Sequence, residues 1–204
     1  MRRKIISRDP QPLAILSRLR GIWRRLPKTG VLLFFDVKPV FIKAYGGRRW
    51  TSQNKLILPK QQPTRGKFYL FLAYNVRTGK RHWAFMDGKA TPFVCQFMRL
   101  LQRRYETQAS WIGLDQDRAH PCISRETRRV MRQLKLRYVS LPKASPDDNP
   151  VETIFSDLQL MVLDNSNDLD AQKTKRRISR YLKARNLCKD RWVRIPYLPN
   201  SKSN

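Results

Sequence analysis

Three acidic residues are the residues of this sequence best suited to chemistry, and two of them stand where an ionised side chain is costly to keep. Asp36 follows five consecutive apolar residues, Val31-Leu32-Leu33-Phe34-Phe35, and closes what reads as a central strand covered on both faces. Asp115 closes a second apolar run, Trp111-Ile112-Gly113-Leu114. A carboxylate at the end of such a run loses hydration unless a hydrogen-bond donor or a cation replaces it. Taken singly, each Asp reads more readily as a cap on the turn that follows. Glu152 belongs to Asn149-Pro150-Val151-Glu152. There Asn149 suits a helix N-cap, Pro150 the first helical position and Glu152 the third, close to a capping box. Three carboxylates brought to one place would supply hard oxygen ligands of the kind Mg²⁺ prefers.

That convergence sets requirements on the elements. If the two Asp-bearing strands are neighbours, both side chains emerge near one sheet edge, where loops build sites. A helix from Pro150 to Leu163 carries the apolar stripe Val151, Ile154, Phe155, Leu158, Met161 and Val162. Packed on the sheet, it would hold Glu152 at the same edge. Val40 to Tyr45 reads as a hairpin partner for the first strand, Phe68 to Val76 as a long third strand, and His82 to Met86 as an extension of the meander. Pro92 to Tyr105 switches to helical period, with Phe93, Phe97, Leu100, Leu101 and Tyr105 inward. Ser124 caps a helix to about Lys135, Arg137 to Leu141 is a strand, and Gln172 to Leu187 is a basic helix. Beyond it, Pro196 and Pro199 suggest a loose tail. The order predicts an α/β fold, a central mixed sheet with helices on its faces, of which the ribonuclease-H-like fold is the familiar example. The expected organisation is a basic helix and linker over 1–30, a catalytic domain over 31–170, and a basic helix and tail over 171–204.

Charge narrows the partners. The 204 residues hold 43 Lys and Arg against 15 Asp and Glu, a net +28, with 41% apolar residues, enough to fold. Such a surface repels itself unless a polyanion binds it, and each phosphate neutralised releases counterions. Nucleic acid is the favoured partner over an acidic protein or a membrane surface. Cys95, Cys122 and Cys188 form no CxxC pair, which argues against a disulfide framework or zinc site and for reduced, mostly buried thiols. No apolar run is long enough to span a membrane, and no signal peptide is read. Seven of the fifteen acids lie between Asp147 and Asp170, an acidic island suited to cations or to balancing nearby arginines.

The segment Leu141-Pro142-Lys143-Ala144-Ser145-Pro146-Asp147-Asp148-Asn149-Pro150-Val151-Glu152 resembles the "LP-x-x-SP-x-x-NP-[IV]-E" block of mariner-related DDE transposases. The bacterial insertion sequence 630 group is the nearest member. Trp111 to Asp115, with His120 five residues on, is similar to the family's second-Asp strand, and Phe34-Phe35-Asp36 with Gly47-Arg48-Arg49-Trp50 to its first. Between Asp115 and Glu152 lie 36 residues, near the family's usual spacing. The resemblance covers roughly residues 31–165. Val37 and Gln116 stand where the family often has Glu and Asn, and the family's helix-turn-helix domain would precede Asp36, where 35 residues stand here.

The resemblance implies a polynucleotidyl transferase and endonuclease that cleaves DNA and transfers strands during transposition of an insertion sequence. It implies two Mg²⁺ (or Mn²⁺) ions, roughly 3.5–4 Å apart in such chemistry, with Asp36 bridging them and Asp115 and Glu152 each holding one. The expected partners are transposon ends and target DNA, engaged by a homodimer or larger assembly. No small-molecule cofactor and no membrane are expected, and the expected place is the bacterial cytoplasm, at the nucleoid. Arg48, Arg49 and Trp50 could clamp a backbone and stack on a distorted base, or be a core Trp beside solvated arginines. His120 could contact a phosphate, support the metal ligands, or pack structurally. Lys173, Lys175, Arg176, Arg177, Arg180 and Lys183 form a basic helix face read as phosphate-contacting. The alternatives are a ribonuclease-H-like nuclease or resolvase, and an inactive DNA-binding domain derived from a transposase.

Overall fold

The computed structural model describes residues 10–45, 63–105, 110–114, 124–143, 145–164, 166–188, 193 and 195–198. Five strands, β1 (Val31–Phe41), β2 (Lys67–Asn75), β3 (Arg81–Met86), β4 (Ser110–Leu114) and β5 (Arg137–Ser140), form one sheet in the order β3-β2-β1-β4-β5. β1, β2 and β3 pair antiparallel; β4 and β5 add in parallel on the other side of β1. Around them lie α1 (Pro12–Arg25), α2 (Thr91–Arg104), α3 (Arg125–Gln133), α4 (Pro150–Leu158) and α5 (Ala171–Leu187). The expected mixed sheet with helices on its faces is what the chain forms.

Alternation along β1 sorts the core into two layers, because successive side chains leave opposite faces. Leu32, Phe34 and Val40 join β2's Leu70 and Leu72 under Leu19 of α1, Ile154 and Leu158 of α4, and Ile178 and Leu182 of α5. Leu33, Phe35 and Val37 face the other way, onto Val94, Phe97 and Leu101 of α2 and Met131 of α3. Both faces of β1 are therefore dry, which is why its start reads as an unbroken apolar run.

Several local expectations are corrected. Val40 to Tyr45 is no separate hairpin strand, since β1 continues unbroken to Phe41 and its antiparallel partner is β2 throughout. Lys38 and Pro39 disguise this in the sequence. Pro39 stands opposite Tyr69 of β2, within the ladder that runs on to Phe41. Leu100 is 44% exposed rather than inward. The helix expected to Leu163 is α-helical only to Leu158; Gln159–Leu163 is a π-helical turn. The wider turn advances the phase, so Val162 and Leu163 are buried while Met161, expected inward, is exposed with Leu160. The tail is not loose where it is described. Tyr197 is buried, donates its hydroxyl to the Asp148 carbonyl at 2.6 Å, and meets the Phe34 ring edge-on. Cys188 is exposed rather than buried, while Cys95 is buried.

Gly113 shows how tightly the upper layer is built. A Cβ there would lie 2.8 Å from Cδ1 and 2.9 Å from Cε1 of Phe34, a ring with no exposed surface and Tyr197 against its edge. Gly113→Ala is expected to destabilise by about 1–3 kcal/mol through overpacking. A thermal melt should show Tm lower by several degrees; an unchanged or raised Tm would mean the ring moves aside freely.

Candidate active site

Asp36 does not close its strand. It lies within β1, one residue past the last described rung with β4, with Leu72 of β2 paired opposite it. The carboxylate bonds its own neighbouring backbone. Its Oδ1 accepts from the Val37 amide at 2.7 Å. Its Oδ2 accepts from Asn149 Nδ2 at 3.2 Å. Asp36 is only 5% exposed, so these donors replace water that the fold has removed.

Asn149 makes this long-range connection, which sequence reasoning did not anticipate. Its Oδ1 caps α4 by accepting from the Val151 amide at 3.1 Å, as the N-cap assignment expects. Its other end reaches Asp36, 113 positions away in the chain. One amide thus fastens the start of α4 to the middle of β1. Glu152 follows at the third helical position, half-buried, its amide bonded to the Asn149 carbonyl at 3.0 Å. Pro146–Asp148 forms a 3-10 turn before it, held from below by the Tyr197–Asp148 bond. The sequence signal was available: an N-cap asparagine has an amide to spare, and a strand-embedded Asp needs a donor.

Asp115 follows Leu114 directly and lies outside the described residues, as do Arg48, Arg49, Trp50 and His120. Leu114, its neighbour, pairs with Phe35, the neighbour of Asp36. Among the described residues no group of three His, Cys, Asp or Glu side chains is placed to hold a metal ion. Asp36 and Glu152 supply hard oxygen donors, the class Mg²⁺ and Mn²⁺ take.

The residues of the basic helix α5 divide. Arg177 pairs with Asp168 and donates from Nη2 to the Val162 carbonyl at 2.7 Å, tying α5 to the π-helical turn. Lys173 reaches the same carboxylate at 3.0 Å. The two cations hold the Asp168 carboxyl below its usual range despite a burial that acts to raise it. Lys175 lies over the Phe68 ring at 5.1 Å. Arg176, Arg180 and Lys183 are exposed.

A second polar cluster lies at the other end of β1. Asn75 Oδ1 accepts from the amides of Arg77 (2.9 Å) and Thr78 (3.1 Å), and its Nδ2 donates to Tyr105 Oη at 2.9 Å. The Tyr105 hydroxyl in turn bonds His82 Nε2. Burial first, then the charges of Arg104 and Lys80, push the His82 pKa down to about 4. At neutral pH His82 is neutral. The sign follows by linkage: between about 4 and the ordinary 6.5 the unfolded chain binds a proton that the native chain does not. Stability should therefore fall as pH drops through that window. Urea titrations at several pH values should show His82→Gln with a shallower decline; an identical slope would mean that His82 is not the group responsible.

No protein-family model and no curated protein matches this sequence. Solved structures do resemble it. The Mos1 mariner paired end complex with Mn superposes with a TM-score of 0.65 at 14% identity, covering 90% of this chain and 58% of that one. The Mos1 strand transfer complex gives 0.66 at 13%, covering 95% and 59%. The catalytic domain of Mos1 mariner transposase gives 0.60 at 13%, covering 90% and 85%. The chain thus spans about three-fifths of the length of the first two Mos1 chains. Its mixed five-stranded sheet and flanking helices are the ribonuclease-H-like fold of the Mos1 transposase catalytic domain.

Proposed function

We propose that this chain is the catalytic part of a DNA transposase of the insertion sequence 630-like kind, cutting DNA and transferring strands with divalent metal ions. The Asp36–Asn149 bond carries the reading. It fastens the start of α4, which bears Glu152 at its third position, to β1 at Asp36. Trp111 packs with the upper core layer and Gly113 lies against Phe34. Continued by one more alternation, that pattern would put Asp115 on the Asp36 face. Asp36, Asp115 and Glu152 would then hold Mg²⁺ or Mn²⁺, the metals present in Mos1 structures. Two such ions would activate the attacking oxygen and stabilise the leaving one. The chain's own work would be to bind the DNA backbone with its net +28, to hold Asp36 between two hydrogen-bond donors, and to present Glu152 from a capped helix start.

Transposon ends and target DNA are the proposed substrates, met by at least a dimer, with Arg48, Arg49, Trp50, His120 and the exposed face of α5 as proposed contacts. The burial of Asp36 favours one other reading, a DNA binder without catalysis. Incubating end-sequence duplexes with Mg²⁺, Mn²⁺ or EDTA separates the two. Metal-dependent nicking and joining that Asp115→Asn abolishes supports the enzyme; retained nicking in that variant, or binding without any nicking, rejects it.

A further inference from the structure

The amino-terminal end of β1 opens on a cleft of about 360 Å³, lined by Lys28, Arg77, Lys80 and Arg104 together with Thr29, Thr78, His82 and Tyr105. No carboxylate is among its lining residues. The three ion pairs among the described residues engage Lys173, Arg177 and Arg185, none of which lines this cleft. Lys28, Lys80 and Arg104 are exposed.

The walls are stiff. Arg77 donates from Nε to the Gly30 carbonyl at 2.9 Å and from Nη2 to the Pro27 carbonyl at 3.1 Å, with its guanidinium 4.9 Å from the Trp23 ring centre. Carbonyls orient that charge without neutralising it. The β2–β3 turn that presents Lys80 is fixed by Asn75 and by Gly79 in the left-handed region, φ 71°. A preorganised cation loses little side-chain entropy when an anion arrives.

The cleft also continues. A neighbouring cavity of about 660 Å³ shares Lys80, His82 and Arg104 with it and extends over Phe97 and Leu101 to Lys183 on α5. A cationic track beside an apolar floor suits a chain of phosphates carrying sugars and bases, and suits a lone anion less well. It also lies apart from the carboxylates. Val31 lines the cleft and Asp36 is five residues further along β1, about 17 Å at the rise of a strand.

We propose that the cleft walled by Lys28, Arg77, Lys80 and Arg104 binds the phosphodiester backbone of a DNA segment, at a site separate from the Asp36–Glu152 edge. The inference rests on DNA being the partner, and it requires no catalysis. Its test therefore runs in EDTA with a 20-base-pair duplex and the full chain. Parent, Lys80→Gln/Arg104→Gln and a charge-matched control on the exposed side of α3, Arg128→Gln/Arg129→Gln, are titrated over a range of salt. The cleft variant should lower the slope of log affinity against log salt by about 2, at roughly 0.9 per phosphate contact. Lys28→Gln, in the turn before β1, should lower it by about 1.

His82, one of two histidines in the chain, reports from the cleft wall. Its imidazole NMR signal should shift on adding duplex, and equally in Asp36→Asn, so that a failure of the catalytic reading leaves this result intact. An unchanged slope in the cleft variants would overturn the assignment. So would a silent His82, an equal response to inorganic phosphate at matched phosphate concentration, or equal displacement by polyglutamate.

Discussion

Asp36→Asn and Glu152→Gln should each reduce divalent-dependent DNA nicking by roughly 10³-fold or more, while leaving the chain folded and DNA-bound. A bound divalent ion stabilises charge on a reacting phosphate by several kcal/mol. About 4 kcal/mol corresponds to three powers of ten. Stability should fall only modestly in the first variant. An asparagine at 36 is isosteric and its oxygen can still accept from Val37 or Asn149, but its amide then faces the other donor, so one bond is lost at a site that is 5% exposed. Glu152 is only half-buried on the first turn of α4, so its replacement by glutamine keeps most of that packing. Nicking rates in Mg²⁺ and Mn²⁺, with parallel melts and binding titrations, check the prediction. Either variant cutting at the parent's rate would remove that residue from the reaction.

Asn149→Ala should be the most damaging single truncation at the site, costing about 2–4 kcal/mol. Loss of an N-cap costs about 1 kcal/mol, and loss of a hydrogen bond to a buried charged acceptor about 1.5–3. Both fall together because one side chain makes both bonds. Asn149→Asp is more informative. An aspartate can still cap α4 but sets a second carboxylate at about the 3.2 Å separation now filled by an amide. Two like charges that close raise the pKa of the pair. The folded-state pKa then exceeds the ordinary value near 3.9. By linkage, the variant's deficit is absent at low pH and grows as pH rises through the raised value. Urea titrations at pH 5 and 7.5 should show that growth, and Mg²⁺ should shrink it at pH 7.5. A deficit unaffected by Mg²⁺ would mean that this edge does not attract divalent cations.

The strand bearing Asp36 and the strand that precedes Asp115 were legible because both faces of β1 and the inner part of β4 are buried, which forces continuous apolar runs. The caps at Ser124 and Asn149 were legible because an N-cap is a local, stereotyped bond. What was not legible depends on contacts between distant segments. The continuation of β1 past Lys38 and Pro39 is decided by β2, which pairs with it to Phe41. The reach of Asn149 to Asp36 is a tertiary bond that no spacing encodes. The tail's order depends on Tyr197 finding the Asp148 carbonyl and the Phe34 edge. Arg177 and Lys173 looked like free basic residues in the sequence, and Asp168 engages both.

The π-helical turn at Gln159–Leu163 has a consequence for how the chain tolerates length changes. Its closing bond runs from the Asp164 amide to the Gln159 carbonyl at 2.7 Å, one residue wider than an α-helical ring. Such a ring holds one surplus residue, bulged outward at Leu160 and Met161, both 59% exposed. Deleting either one lets the helix close at the ordinary pitch with Val162 and Leu163 still inward. A deletion one turn earlier, within α4, would instead rotate everything downstream by about 100°, turning the Val162 carbonyl away from Arg177. Shortening should therefore be survivable at this bulge and ruinous a few residues before it.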